Sequence, residues 1–143
     1  VTGYADPEVL IQTWLHEQTA AKTWADPRLP GNWSFTAPLV HVQRGQDFGD
    51  ERLSLDIALI DIDVYGKDPD HTRALAEQVR GLMRLALPLH TFDSGVFVKA
   101  VFTVMAPTWL PYRDPGGSTR QAIDPNIARR GSTYRVVLHG MVA

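Results

Sequence analysis

The stretch Arg52-Leu-Ser-Leu-Asp-Ile-Ala-Leu-Ile-Asp-Ile-Asp-Val-Tyr65, followed by Gly66-Lys67 and an amphipathic segment from Asp68-Pro69 to Leu87, decides the fold. Its first half alternates apolar and polar residues, the pattern of a half-buried strand. Leu53, Leu55, Ile57 and Leu59 share one phase, and Ile60, Ile62 and Val64 take the other. Side chains on a strand alternate faces with period two. The flip therefore predicts a bulge, or a strand that leaves one neighbour and joins another. The second half predicts a helix. Asp68-Pro69-Asp70 supplies a cap, a first-turn proline and an acid at the positive end of the dipole, and Leu75, Val79, Leu82 and Ala86 line one side. Arg73, Glu77, Arg80 and Arg84 recur at the same spacing on another face, which suits pairing along the helix surface. Mid-helix Gly81 suggests close packing against the sheet, and Pro88 ends the segment.

Upstream, Asp6-Pro7-Glu8 repeats the helix-start grammar and predicts a helix from Pro7 to about Lys22, with Trp14 as a core anchor. Residues 25–38 form a breaker-rich connection; Trp24, Trp33 and Phe35, in or beside it, either pin it to the body or await a partner. Leu39 to Arg44 reads as a short strand. Gly45 to Glu51 reads as a polar turn with Phe48 at its tip, joining two antiparallel strands. Downstream, Val96 to Ala106 is apolar on both faces, which places it centrally in the sheet. Residues 107–133 carry Pro107, Pro111, Pro115, Gly116-Gly117, Pro125 and Gly131, and read as one long loop. Tyr134 to Val142 reads as a last strand. The expectation is a single α+β domain over residues 1–143: a mainly antiparallel sheet of four to five strands, two helices on one face, and a long loop at 107–133 before the last strand.

Composition excludes more than it specifies. The 143 residues are 44% hydrophobic with a net charge of −2, ordinary for one globular domain and no invitation to free nucleic acid. There is no cysteine, so no disulfide and no thiol catalysis. No signal peptide is visible, and the most apolar run is too short to span a bilayer, so no membrane partner is expected. The five histidines lack metal-ligand spacing. Asp56, Asp61 and Asp63 admit either a divalent cation or a polar face paired with arginines, the second being favoured. No serine has a marked base partner and Gly66-Lys67 follows no phosphate loop, so no catalytic residue, cofactor or metal is assigned. Arg129-Arg130-Gly131-Ser132 reads as exposed charge in a flexible loop.

Charge is unevenly placed. Residues 46–70 hold eight acids against Arg52 and Lys67, whereas residues 113–135 hold five arginines against Asp114 and Asp124. One reading is a solvated surface with pairing inside the chain. The other is two complementary edges that meet between copies in a head-to-tail ring.

Several pieces, in order, resemble tail terminator proteins of long-tailed, non-contractile bacteriophages, especially those of actinobacterial hosts. They are Trp14-Leu15 in an N-terminal helix, the proline-led strand Pro38 to Arg44, the acidic strand Asp61-Ile-Asp63-Val-Tyr65, and the helix Ala74-Leu-Ala76-x-x-Val79-Arg80. A strand ending at Pro107, then Leu110-Pro111-Tyr112-x-Asp114 and Arg120, complete the set. The single Gly45 departs from the looser glycine-rich turn expected there. The resemblance implies a structural virion protein, assembled in the host cytoplasm, that forms a hexameric ring at the tail–neck junction. Such a ring ends tube polymerisation, contacts the tail tube protein and the neck or head-completion proteins, and passes the genome DNA through its lumen without specific binding. It implies no reaction. Asp47, Phe48, Asp50, Glu51, Arg113, Arg120, Arg129 and Arg130 are the candidate assembly contacts. Another neck component, such as a head-completion or stopper protein, and a monomeric binding module are the alternatives.

Overall fold

A computed structural model describes residues 3–26, 37–45, 49–52, 55–111, 126–139 and 141–142. Its elements are β1 (Gly3–Tyr4), α1 (Pro7–Thr19), β2 (Lys22–Trp24), β3 (Leu39–Arg44), β4 (Gly49–Arg52), β5 (Leu55–Gly66), α2 (Pro69–Gly81), a π-helical turn (Leu82–Ala86), β6 (Phe97–Leu110), β7 (Ala128–His139) and β8 (Met141–Val142). The main sheet runs β2-β3-β5-β7-β6, with β4 also paired to β5; β1 and β8 form a separate small ribbon. All pairings are antiparallel except β2 with β3. This is the expected α+β architecture.

Both helices pack on one face of the sheet. Ala58, Ile60, Ile62 and Val64 of β5, Val40 and Val42 of β3, Tyr134, Val136 and Leu138 of β7, and Val98 and Val101 of β6 form one buried cluster with Ile11, Trp14 and Leu15 of α1 and Ala76, Val79 and Met83. Trp14 is a core residue, 5% exposed. Non-directional burial of these side chains drives the two layers together.

Both helix starts are capped as their sequences dictate. The Asp6 carboxylate accepts from the Glu8 N–H and the Asp68 carboxylate from the Asp70 N–H, each at 2.9 Å. The first helix stops at Thr19, earlier than expected, and Ala20 takes a left-handed conformation (φ 57°). Lys22 to Trp24 are instead drawn into a strand beside Leu39 to His41.

Four further expectations are met in part or corrected. First, β5 contains no bulge: its register against β7 is unbroken from Leu55↔His139 to Gly66↔Ala128. It does change neighbours on its other side, pairing with β4 at Leu55–Ile57 and with β3 at Ile60–Tyr65. Second, the strands on either side of the expected turn, β3 and β5, do pair antiparallel, but β4 intervenes and also pairs with β5, so the connection is not one simple turn over 45–51; Gly45 donates to the Leu59 carbonyl at 2.7 Å, and Phe48 lies outside the described residues. Third, the strand read as central lies at the sheet edge. Fourth, the long loop shrinks from both ends, since β6 runs on to Leu110 and β7 begins at Ala128. Gly81 also has open space where a Cβ would stand, so close packing does not explain it. It leads into the π turn, where the Leu87 N–H reaches the Leu82 carbonyl.

Candidate interaction surface

The most concentrated unabsorbed chemistry lies where α2 crosses β6. Arg73, Arg80 and Arg84 are seven and then four residues apart, so they line one side of the helix, and the row is about 16 Å long. Trp109 stands at the end of β6, opposite Arg130 in the β6–β7 register. The Arg130 guanidinium lies 4.8 Å from the Trp109 ring centroid and that of Arg73 lies 5.5 Å from it. Both are cation–π contacts, in which the ring face offers negative potential to the delocalised charge. Glu77 sits among the arginines, 3.8 Å from both Arg80 and Arg130. These distances are too long for strong pairs, and the Arg80–Glu77 pair is about half exposed, so the one carboxylate leaves the cluster net positive.

Arg84 donates to the Val101 carbonyl on β6. Between it and Arg80 opens a groove of about 400 Å³, lined by Glu77, Arg80, Gly81, Arg84, Leu85 and Thr103. One apolar side chain lines this groove: Leu85, 87% exposed. The π turn carries Leu85, while its neighbours Met83 and Leu87 are fully buried. Exposed Leu85 and Trp109 beside arginines that outnumber their one carboxylate have the composition of a protein-contact patch.

The opposite face of the sheet handles its charges differently. Arg129 Nη2 lies 3.0 Å from Asp63, and its guanidinium is 5.8 Å from the Tyr65 ring. Burial works against this charge, but Asp63, Tyr65 and Asp61 outweigh it and hold the Arg129 pKa above its ordinary value. The Thr133 hydroxyl donates to Asp61 at 2.6 Å. Asp56, on the helix-facing side, receives a two-pronged contact from Arg44, with both distances 2.8 Å. The three acids singled out in sequence are thus held apart by separate partners. Among the described residues no group of three or more metal-ligating side chains comes together.

The eight candidate contacts fare unequally. Asp47, Phe48, Arg113 and Arg120 lie outside the described residues. Asp50 and Glu51 are in β4, in line with β3 along one side of β5. Arg129 and Arg130 are corrected from loop to strand: they open β7 and are engaged by Asp63 and Trp109. The residues of this surface that the sequence candidates left out are Arg73, Arg80, Arg84 and Trp109. Their signal was the three-to-four spacing on α2, which read as ordinary surface pairing because Glu77 sits in the same row.

A smaller cleft, about 290 Å³, lies between α1 and the turn before β6, walled by Val9, Trp14, His90 and Phe92 with Glu17 and Asp93 at its lining. His90 meets Phe92 edge-on at 4.8 Å and Trp14 at 5.9 Å. Comparison with known proteins finds no matching family model and no significant match among curated proteins.

Proposed function

We propose that this chain is a structural virion protein resembling a phage tail terminator. It forms a homo-oligomeric ring, six copies in the family it resembles, that caps the tail tube, ends its polymerisation and joins the tail to the neck. Its partners are further copies of itself, the tail tube protein and the neck or head-completion proteins, at the tail–neck junction of the virion. Genome DNA passes through the lumen.

The ordered set of sequence features motivates the reading. The observation that carries it furthest is the edge built by α2 and β6, where arginines gather around exposed Leu85 with too little acid to neutralise them. A ring subunit needs a different surface at each of its two sides, since closed head-to-tail contacts are heterologous. An arginine-rich edge at α2 and β6, set against the acids concentrated in residues 46–70, suits that requirement.

Electron microscopy of particles from a phage lacking this chain tests the proposal. The expected result is overlong, irregular tails unattached to filled heads. Tails of normal length that fail to join heads would move the chain to a neck-connector role. Intact infectious particles would overturn both and leave a binding module.

A further inference from the structure

Three features of the α2–β6 groove work against the stability of the fold. Arg80 and Arg84 stand four residues apart, at the end of α2 and in the π turn, where like charges repel. Among the described residues the one acid lining the groove is Glu77, 3.8 Å from Arg80. Gly81 lies between the two arginines in sequence and gives up helix propensity, yet a Cβ there would meet nothing within 4 Å. The groove is left open where an ordinary side chain would fit. The third feature lies beneath. Tyr134 of β7 is paired with Thr103 of β6, and directly opposed residues share a face of the sheet. Thr103 lines the groove. Tyr134 is fully buried, and its hydroxyl makes no hydrogen bond among the described residues while lying within electrostatic reach of Arg80, Glu77 and Arg84. A buried hydroxyl without a partner carries a desolvation cost that an acceptor would remove.

We propose that this groove is a carboxylate-binding site, with Arg80 and Arg84 as its cationic clamp and the Thr103 and Tyr134 hydroxyls as further donors. The occupant is a protein segment that presents a carboxylate beside an apolar side chain. Charge complementarity selects an anion, because the arginines outnumber Glu77, and guanidinium groups match the planar carboxylate. Arg84 uses one N–H on the Val101 carbonyl, which holds its guanidinium at the groove and leaves it further donors. Leu85, 87% exposed in the same lining, selects what accompanies the carboxylate. It gains from an apolar neighbour and offers nothing to a phosphodiester backbone. Glu77 repels a doubly charged phosphate more than a singly charged carboxylate. The Tyr134 hydroxyl is shielded from solvent, so its contact needs the exposed Arg80 and Arg84 side chains to turn, a change of rotamer. The ring reading names no chemical group for this edge; the site goes beyond that reading and does not rest on it.

Titration followed by heteronuclear NMR tests the site, with N-acetyl-leucine as the probe and its uncharged amide as the control. N-acetyl-leucine should shift the signals of Arg80, Gly81, Arg84 and Thr103, and the amide should not. Arg80→Gln and Tyr134→Phe should each weaken binding by about tenfold, the effect of one hydrogen bond to a charged group. Gly81→Leu, whose side chain has room, should abolish binding while the chain stays folded by circular dichroism. Absence of shifts, equal shifts with the amide, or unchanged affinity in Arg80→Gln and Gly81→Leu would overturn the site. Unchanged affinity in Tyr134→Phe would overturn the part given to its hydroxyl. Tighter binding of inorganic phosphate than of N-acetyl-leucine would overturn the carboxylate assignment. None of these outcomes decides the ring reading, which the deletion phenotype tests separately.

Discussion

Replacing Asp56 by Ala should destabilise the fold far more than an ordinary surface change. Asp56 belongs to the helix-facing phase of β5 and is 6% exposed. Its two oxygens each take a 2.8 Å hydrogen bond from Arg44, whose Nη2 also reaches toward the Ile57 carbonyl. Removing one partner of a fully buried pair costs about 3–5 kcal/mol, because the other charge is stranded. The Arg44 side chain is 27% exposed, against 9% for Asp56, so water screens part of the stranded charge. That lowers the expected cost to about 2–4 kcal/mol. For 143 residues the unfolding entropy is about 0.3 kcal/mol/K, so 3 kcal/mol is a fall of about 10 °C in Tm. Replacing both partners by apolar residues, Arg44→Met with Asp56→Leu, removes the charge with the carboxylate and should cost about 1 kcal/mol or less. Thermal and urea unfolding of the single and double variants measure both values. A single variant within about 0.5 kcal/mol of the parent, or a double variant as damaged as the single, would refute the reasoning.

Tyr134 is fully buried and its hydroxyl makes no hydrogen bond among the described residues. Burial pushes its pKa above the ordinary value, and the nearby Ser132 hydroxyl, Arg80 and Arg84 offset this only in part. The unfolded tyrosine loses its proton near pH 10 while the folded one keeps it. This contribution to stability is therefore whole below about pH 10 and declines as pH rises through the folded value. Tyr134→Phe should remove that alkaline decline at little cost at neutral pH, checked by urea midpoints from about pH 8 to 11; a decline identical to that of the parent would count against it. At Gly131 a Cβ would stand 2.5 Å from Asp63 Oδ1 and 2.6 Å from Leu110 Cδ1. Gly131→Ala should therefore push Asp63 off Arg129 and cost about 1–3 kcal/mol. Equilibrium unfolding checks this, and part of the loss should return in an Asp63→Ser background; an unchanged midpoint would mean both neighbours yield freely.

The legible parts of the fold were the local ones. Asp6-Pro7 and Asp68-Pro69 announce helix starts because caps need only residues two or three apart. The end of α1 was not legible, since Ala20 and Ala21 read as helix while pairing of Lys22–Trp24 with a strand fifteen or more residues away decides otherwise. The apparent phase flip in β5 has a similar origin. Asp56 occupies an inward position but is polar, because Arg44 satisfies it. Leu55, Ile57 and Leu59 occupy the outer face, half-buried, and mimic an inward set. The opening of β7 read as loop for the same reason. Arg129 and Thr133 look solvent-seeking, yet Asp63 and Asp61 on the neighbouring strand receive them, and the Ser132 hydroxyl donates to the Ile62 carbonyl. Polar residues satisfied across a ladder leave no trace in a one-dimensional pattern.

The edge position of β6 bears on how a second molecule would attach. An uncovered fourteen-residue edge strand invites another strand to add to it. Here the chain blocks that. Leu89 donates to the Val98 carbonyl and Val98 to the His90 carbonyl, while Arg84 takes the Val101 carbonyl. Farther along, register shifts at Thr103/Met105 and Met105/Thr108 bend the strand, and Pro107 deletes a backbone donor. These are devices that suppress strand addition. Yet Trp109 remains partly exposed beside the arginines. An edge whose backbone is capped while its side chains stay apolar and cationic is suited to contact through side chains. That limits its partner to one that presents a complementary surface, and sets it against the indiscriminate pairing of bare strand edges.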